Sequence, residues 1–243
     1  MNNLGQRILN ETNLLTDDKP HYFENLLPSA NELLSWHDVE ACLNRPELYN
    51  FEIIDPRTSS KIDVPEHSKA WIWDRKVQDK AFMFDKVNQG YGLVITNYGS
   101  YSDKTNHLLT IFEKMFSINA AIHVYCGLGP STSFPIHDDY PCNFIIQVEG
   151  ETHWKVFNNR ISYMHRTGIM NNIVTEKDLD LAIDVVLKPG DGLYIPSRCF
   201  HIAMPDSKRL SMSIPCWNKF STEAATNSVD RNYYRINHGT ASI

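Results

Sequence analysis

His137, Asp139 and His201 are the residues whose types and spacing carry the most chemistry. His137 and Asp139 stand two apart in a strand-like stretch, and residues i and i+2 of a strand share one face. Adjacent residues face opposite ways, so Asp139 rather than Asp138 goes with His137. His201 closely follows the run Gly190-Asp191-Gly192-Leu193-Tyr194-Ile195-Pro196. Two imidazoles and one carboxylate on one face of an octahedral metal leave three positions open, the arrangement of non-haem Fe(II) oxygenases. The tripeptide alone is a weak signal, because ten His with 29 Asp plus Glu in 243 residues give roughly one His-x-acid by chance.

The elements that must position these residues follow from periodicity. From Ala121 onward short runs rich in Val, Ile, Phe and Tyr alternate with Gly, Pro and Asn, as β-strands do. Candidate strands are 121–126, 143–148, 152–157, 184–187, 192–195, 199–204 and 209–216, with a flanking strand over Gly92–Asn97. Many short strands of this kind suit a jelly roll. Upstream, Ser35-Trp36-His37-Asp38 reads as a capping box opening a helix through about Leu43. Ser102 or Asp103 caps another, in which Leu108, Ile111, Phe112, Met115 and Phe116 form a core-facing stripe. Thr175 with Asp178 caps a small helical insert. In the last strand Arg209, Ser211 and Ser213 alternate with Leu210, Met212 and Ile214, which we read as a polar face turned to the pocket.

The expected organisation is one domain over 1–243. Residues 1–20 are polar and expected to be loosely ordered, 21–120 mostly helical, 121–217 the barrel core and 218–243 a tail. The class is mainly β (α+β), a double-stranded β-helix with N-terminal helices packed on the barrel. At 42% hydrophobic residues the chain can bury a full core. A formal charge of −6 lacks the basic footprint of direct nucleic-acid binding. The absence of an apolar run near the roughly 18 residues of a membrane span, and of a signal-peptide pattern after Met1, makes a cytoplasmic protein the expectation. Cys42, Cys126, Cys142, Cys199 and Cys216, without Cys-x-x-Cys spacing, read as reduced and buried, with Cys199 on the pocket side beside His201. His123 and His153 read as structural or surface residues. Nothing in the sequence sets an oligomeric state.

The stretch from Phe134 to Phe157 resembles the first metal-binding hairpin of JmjC and cupin-like hydroxylases. Leu187 to His201 resembles their Gly-Asp-x-Leu-Tyr-Ile-Pro turn and the strand that ends at the last metal ligand. The likeness runs from Ala121 to Trp217 and is nearest to the ribosomal-protein and asparaginyl hydroxylases of that family. It implies Fe(II) on His137, Asp139 and His201, with 2-oxoglutarate and O2 as co-substrates. It also implies hydroxylation of a C–H bond with release of succinate and CO2, the metal and keto acid carrying the hard chemistry.

The chain departs from the family where 2-oxoglutarate is held. Thr152 occupies the position of the usual Lys or Arg, and Phe134 that of a Thr. Asn143 matches an Asn that approaches the co-substrate in asparaginyl hydroxylases. A buried carboxylate needs a cation or several donors, and Arg209-Leu210-Ser211 resembles the Arg-x-Ser pair of other 2-oxoglutarate oxygenases. The expected substrate is a protein or peptide side chain, or a small molecule, the latter expectation resting on the short stretch after Trp217, which leaves no room for the relatives' usual dimerisation or winged-helix modules. Trp154, Tyr140 and Trp217 are candidate pocket walls. Two other readings stay open: a metal-binding cupin-like module without turnover, and a cupin enzyme that needs no keto acid.

Overall fold

A computed structural model describes residues 3–12, 18–68, 76–100, 102–116, 120–130, 134–160 and 175–216. Its strands are β1 His21–Phe23, β2 Asn50–Asp55, β3 Ser60–Ile62, β4 Glu66–Ser68, β5 Lys76–Gln78, β6 Gly92–Thr96 and β7 His123–Gly127. They continue as β8 His137–Asp138, β9 Cys142–Glu149, β10 Thr152–Arg160, β11 Leu181–Leu187, β12 Gly192–Ile195, β13 Cys199–Met204 and β14 Arg209–Cys216. The helices are α1 Leu4–Glu11, α2 Trp36–Leu43, α3 Lys80–Asn88 and α4 Asp103–Phe116. One sheet runs β1-β12-β9-β14-β7-β6-β2-β3 and a second β11-β10-β13-β8, while β4 and β5 pair alone. Neighbouring strands are antiparallel throughout. This is the jelly roll that the short-strand pattern predicts.

Alternation sorts the side chains between two cores. Phe144, Ile146 and Val148 of β9 and Leu210, Met212 and Ile214 of β14 join Leu108, Phe112 and Phe116 of α4 in a core between the larger sheet and the helices. The other faces of the strands send Ile145, Trp154, Val156, Leu193, Cys199 and Ala203 into the barrel interior. Phe144 is an aromatic hub: its ring lies 4.9 Å from Phe112, 5.8 Å from Phe116, 4.8 Å from Tyr194 and 6.5 Å from Phe23.

The expected helices over 36–43 and 103–116 are present, and Ser35 with Asp38 forms the full capping box. Two expectations need correction. Residues 1–20 contain α1, whose Leu4 and Ile8 are buried on the core, so its apolar stripe outweighs its polar composition. Residues 21–120 are not mostly helical: β1 to β6 lie there, because β2 and β6 extend the larger sheet beyond β7 and β3 pairs on β2. The segment 217–243 lies outside the described residues. Among those described, no helix is long and apolar enough to cross a membrane.

The Gly190-Asp191-Gly192 turn fastens the N-terminal segment to the barrel. Asp191 accepts from the Asn25 N–H at 2.8 Å, the Tyr22 hydroxyl at 3.0 Å and the Lys188 N–H at 2.9 Å. Gly190 has φ 94°, and a Cβ on Gly192 would sit 2.3 Å from Leu26, so both glycines answer to this packing. Phe144→Ala should lower stability by about 3–5 kcal/mol, read from urea unfolding, since one truncation empties the contact point of four rings.

Candidate metal centre

β8 pairs with β13 in the register His201↔His137, and Asp139 follows at the end of β8. The two imidazoles therefore stand side by side, 4.3 Å between centroids. Asp139 reaches between them, its oxygens 4.0 Å from His137 Nε2 and 3.6 Å from His201 Nε2. The three residues offer ligand atoms all within 4.8 Å of one another, a set that can hold a metal ion.

Hydrogen bonding on the far side of each ring fixes which nitrogen is available. His137 Nδ1 lies 2.8 Å from the Pro135 carbonyl, and His201 Nδ1 lies 2.9 Å from that of Cys199. A carbonyl only accepts, so each Nδ1 carries a proton and Nε2 is the nitrogen left facing Asp139. Metal-binding histidines are oriented in this way, and the donor set fits a divalent ion of the Fe(II) type.

The three groups titrate differently. Burial pushes the Asp139 carboxyl up, but His201, His137 and Asn143 outweigh it and hold it down at about 2. Burial, then the neighbouring His201, lowers His137 to about 4. Burial opposes protonation of His201 as well, yet Asp139 beside it raises its pKa above the ordinary value. Trp154 stacks behind His201, ring centroids 6.1 Å apart.

A cavity of about 440 Å³, counted with its open mouth, contains all three residues. Phe134, Ile145, Trp154 and Ala203 give it apolar walls, and Tyr125, Arg209, Ser211 and Ser213 a polar side. The polar face of β14 is thus the pocket face, as alternation predicts. Arg209 is fully buried, and burial lowers its guanidinium to about 10 despite Cys126 and Tyr125 nearby.

Of the residues expected at the site, His137, Asp139, His201, Arg209 and Ser211 line this one cavity. Asn143 stands behind it: its amide donates to Asp139 at 2.7 Å, and its carbonyl oxygen accepts from Ser213 at 3.4 Å. Thr152 is buried in the barrel wall, outside the cavity lining, and its hydroxyl makes no hydrogen bond among the described residues. Cys199 lies in the interior cluster and not on the cavity wall, its thiol pushed up to about 11 by burial. Tyr140 lies beneath the Arg198 guanidinium rather than in the cavity, and Trp217 falls outside the described residues. His123 accepts from the Asn97 N–H, and His153 pairs with Asp184. Sequence reasoning passed over Tyr125, although β7 alternation signalled it, since Val124 and Cys126 on either side face the helical core. It also left Arg198 without a role.

Residues 100–224 match the family described as the JmjC domain. The chain belongs to the JmjC domain family. Among curated relatives, ribosomal oxygenase 1 of Gallus gallus is 27% identical over 144 residues, 58% of this chain and 24% of that protein. The bifunctional lysine-specific demethylase and histidyl-hydroxylase NO66 of Aedes aegypti is 23% identical over 214 residues, 85% of this chain and 31% of its own. The chain therefore spans roughly a quarter to a third of the length of these two relatives. The structure of YcfD, a ribosomal oxygenase from Escherichia coli, in complex with cobalt and 2-oxoglutarate, superposes with TM-score 0.57. That match covers 95% of this chain and 60% of YcfD at 15% identity, a likeness of fold.

The orphaned hydroxyl of Thr152 gives a direct check on the interior. Thr152→Val should leave stability unchanged or raise it by about 1 kcal/mol in urea unfolding of the metal-free protein, because it removes an unsatisfied polar group without changing shape.

Proposed function

We propose that this chain is an Fe(II)- and 2-oxoglutarate-dependent oxygenase that hydroxylates a C–H bond. The observation that carries the reading is the pair of imidazoles whose Nδ1 atoms are tied to carbonyls while both Nε2 atoms converge with Asp139. When bound, Fe(II) with 2-oxoglutarate and O2 supplies the oxidising chemistry, and succinate and CO2 leave.

The protein's own residues do the rest. His137, Asp139 and His201 hold the metal, and the Asn143 amide fixes the rotation of the Asp139 carboxylate. Arg209, with Ser211 and Tyr125 on the same cavity wall, receives the far carboxylate of 2-oxoglutarate. A guanidinium fork suits that group, and burial in an enclosed site strengthens the attraction. In this chain Arg209 on β14 replaces the cation that the family places where Thr152 stands. Phe134, Ile145, Trp154 and Ala203 keep water from the remaining space.

For the substrate we propose a protein side chain. Relatives carrying the names ribosomal oxygenase and histidyl-hydroxylase support this class.

Anaerobic titration of metal-free protein with Fe(II) and then 2-oxoglutarate tests the reading. A saturable visible charge-transfer band is expected, absent in His137→Ala. In Arg209→Met, Fe(II) binding should persist while the 2-oxoglutarate Kd rises roughly a hundredfold or more, the scale of breaking a buried charge pair. Fe(II) binding without any band would reject the 2-oxoglutarate reading and favour a binding module or a cupin enzyme independent of keto acid.

A further inference from the structure

Asp139 is the least enclosed of the three converging residues: its side chain is 41% exposed, against 31% for His137 and 4% for His201. Packing alone therefore fixes it least. Its stretch of backbone is instead gripped by two residues of the turn before β13. The Arg198 N–H donates to the Asp139 carbonyl at 2.7 Å, and the Ser197 hydroxyl to the Tyr140 carbonyl at 2.5 Å. The Arg198 guanidinium donates to Asp138 at 2.9 Å and lies 4.7 Å over the Tyr140 ring. Asp138, Asp139 and Tyr140 are all held by Ser197 and Arg198.

This grip is costly to stability. Arg198 has φ 66°, in the left-handed region where a Cβ is strained. Its side chain is 1% exposed, and its Nε and Nη2 have no hydrogen-bond partner among the described residues. A buried ion pair with donors left over does not outperform an apolar pair of the same size. Glycine would relieve the backbone and still donate the N–H to Asp139. What only the guanidinium supplies is geometry: one edge tied to Asp138 and a flat face on Tyr140, with Asp139 between them.

We infer that Arg198 is a positioning residue for the metal centre, which through Asp138 and Tyr140 aims the half-exposed Asp139 carboxylate at the ion. This rests on the metal reading given above. The Asn143 amide holds the carboxylate itself, and Arg198 holds the backbone that carries it.

Co(II) binding to the metal-free full chain tests the assignment, followed by calorimetry and by the visible spectrum of the bound ion, with urea unfolding of the metal-free protein alongside. Arg198→Gly combined with Asp138→Asn removes the guanidinium, its buried partner charge and the backbone strain together. The expected result is a cooperative unfolding transition, a Co(II) Kd raised about tenfold or more, and an altered visible spectrum. Arg198→Lys, which keeps the charge but not the fork, should fall between this variant and wild type. If Co(II) binds the double variant and Arg198→Lys within twofold of wild type with an unchanged spectrum, the positioning role is overturned and the metal reading stands. If wild type itself binds no Co(II), both are overturned. Should the double variant fail to fold, Arg198→Lys and Asp138→Asn decide by the same affinity and spectral criteria.

Discussion

In an antiparallel ladder, residues directly opposite each other put their side chains on one face a few ångströms apart. The pairing of β8 with β13 uses this to bring His137 against His201, and it does so with a strand of two residues. Such a short strand cannot keep its own register. Its neighbours must, and the contacts around it serve that end: Pro135 and Cys199 carbonyls behind the rings, Asn143 behind the carboxylate, Arg198 and Ser197 beneath the backbone. A slip of one residue would turn Asp138 inward and His137 outward. The ion pair of Asp138 with Arg198 opposes that slip, because Asp138 is already committed to the outer side.

The second constraint is charge inside the barrel. A buried guanidinium is expensive in a low-dielectric interior unless an anion meets it. Burial pulls the Arg209 pKa down to about 10, and the polar side chains around it, Tyr125, Ser211 and Ser213, all line the same cavity as His137, Asp139 and His201. In the proposed reading, the far carboxylate of 2-oxoglutarate would lie beside this cation. Arg209 can be polar on one side of β14 because Leu210, Met212 and Ile214 on the other side anchor the strand in the helical core.

The N-terminal segment does more than cover the barrel. Asp191 ties Tyr22 and Asn25 to the turn before β12, while Asp18 accepts from Arg160 at 2.8 Å and from the Tyr194 hydroxyl. These long-range bonds connect the segment to β10 and β12, the strands that carry Trp154 and neighbour β9. The Gly-Asp-Gly run thus acts through packing: its carboxylate holds a distant segment rather than a metal or a co-substrate.

Much of the fold was legible in the residues themselves. Period-2 alternation located the barrel strands and the face that each presents, and the capping box at Ser35 fixed a helix start, because these are local rules of backbone geometry. The shared face of His137 and Asp139 could be read for the same reason, whereas their grouping with His201 came from the resemblance to JmjC and cupin-like hydroxylases. The strands β2 and β3 and the helix α1 were not, since their formation depends on a sheet edge and a helical core assembled from distant parts of the chain. Tertiary structure alone decided that Asn143 bonds Asp139, that Thr152 stays outside the cavity, and that Arg198 sits beneath the turn that carries Asp139. Spacing determines which side chains share a face, but only the register between strands far apart in sequence determines which of them meet.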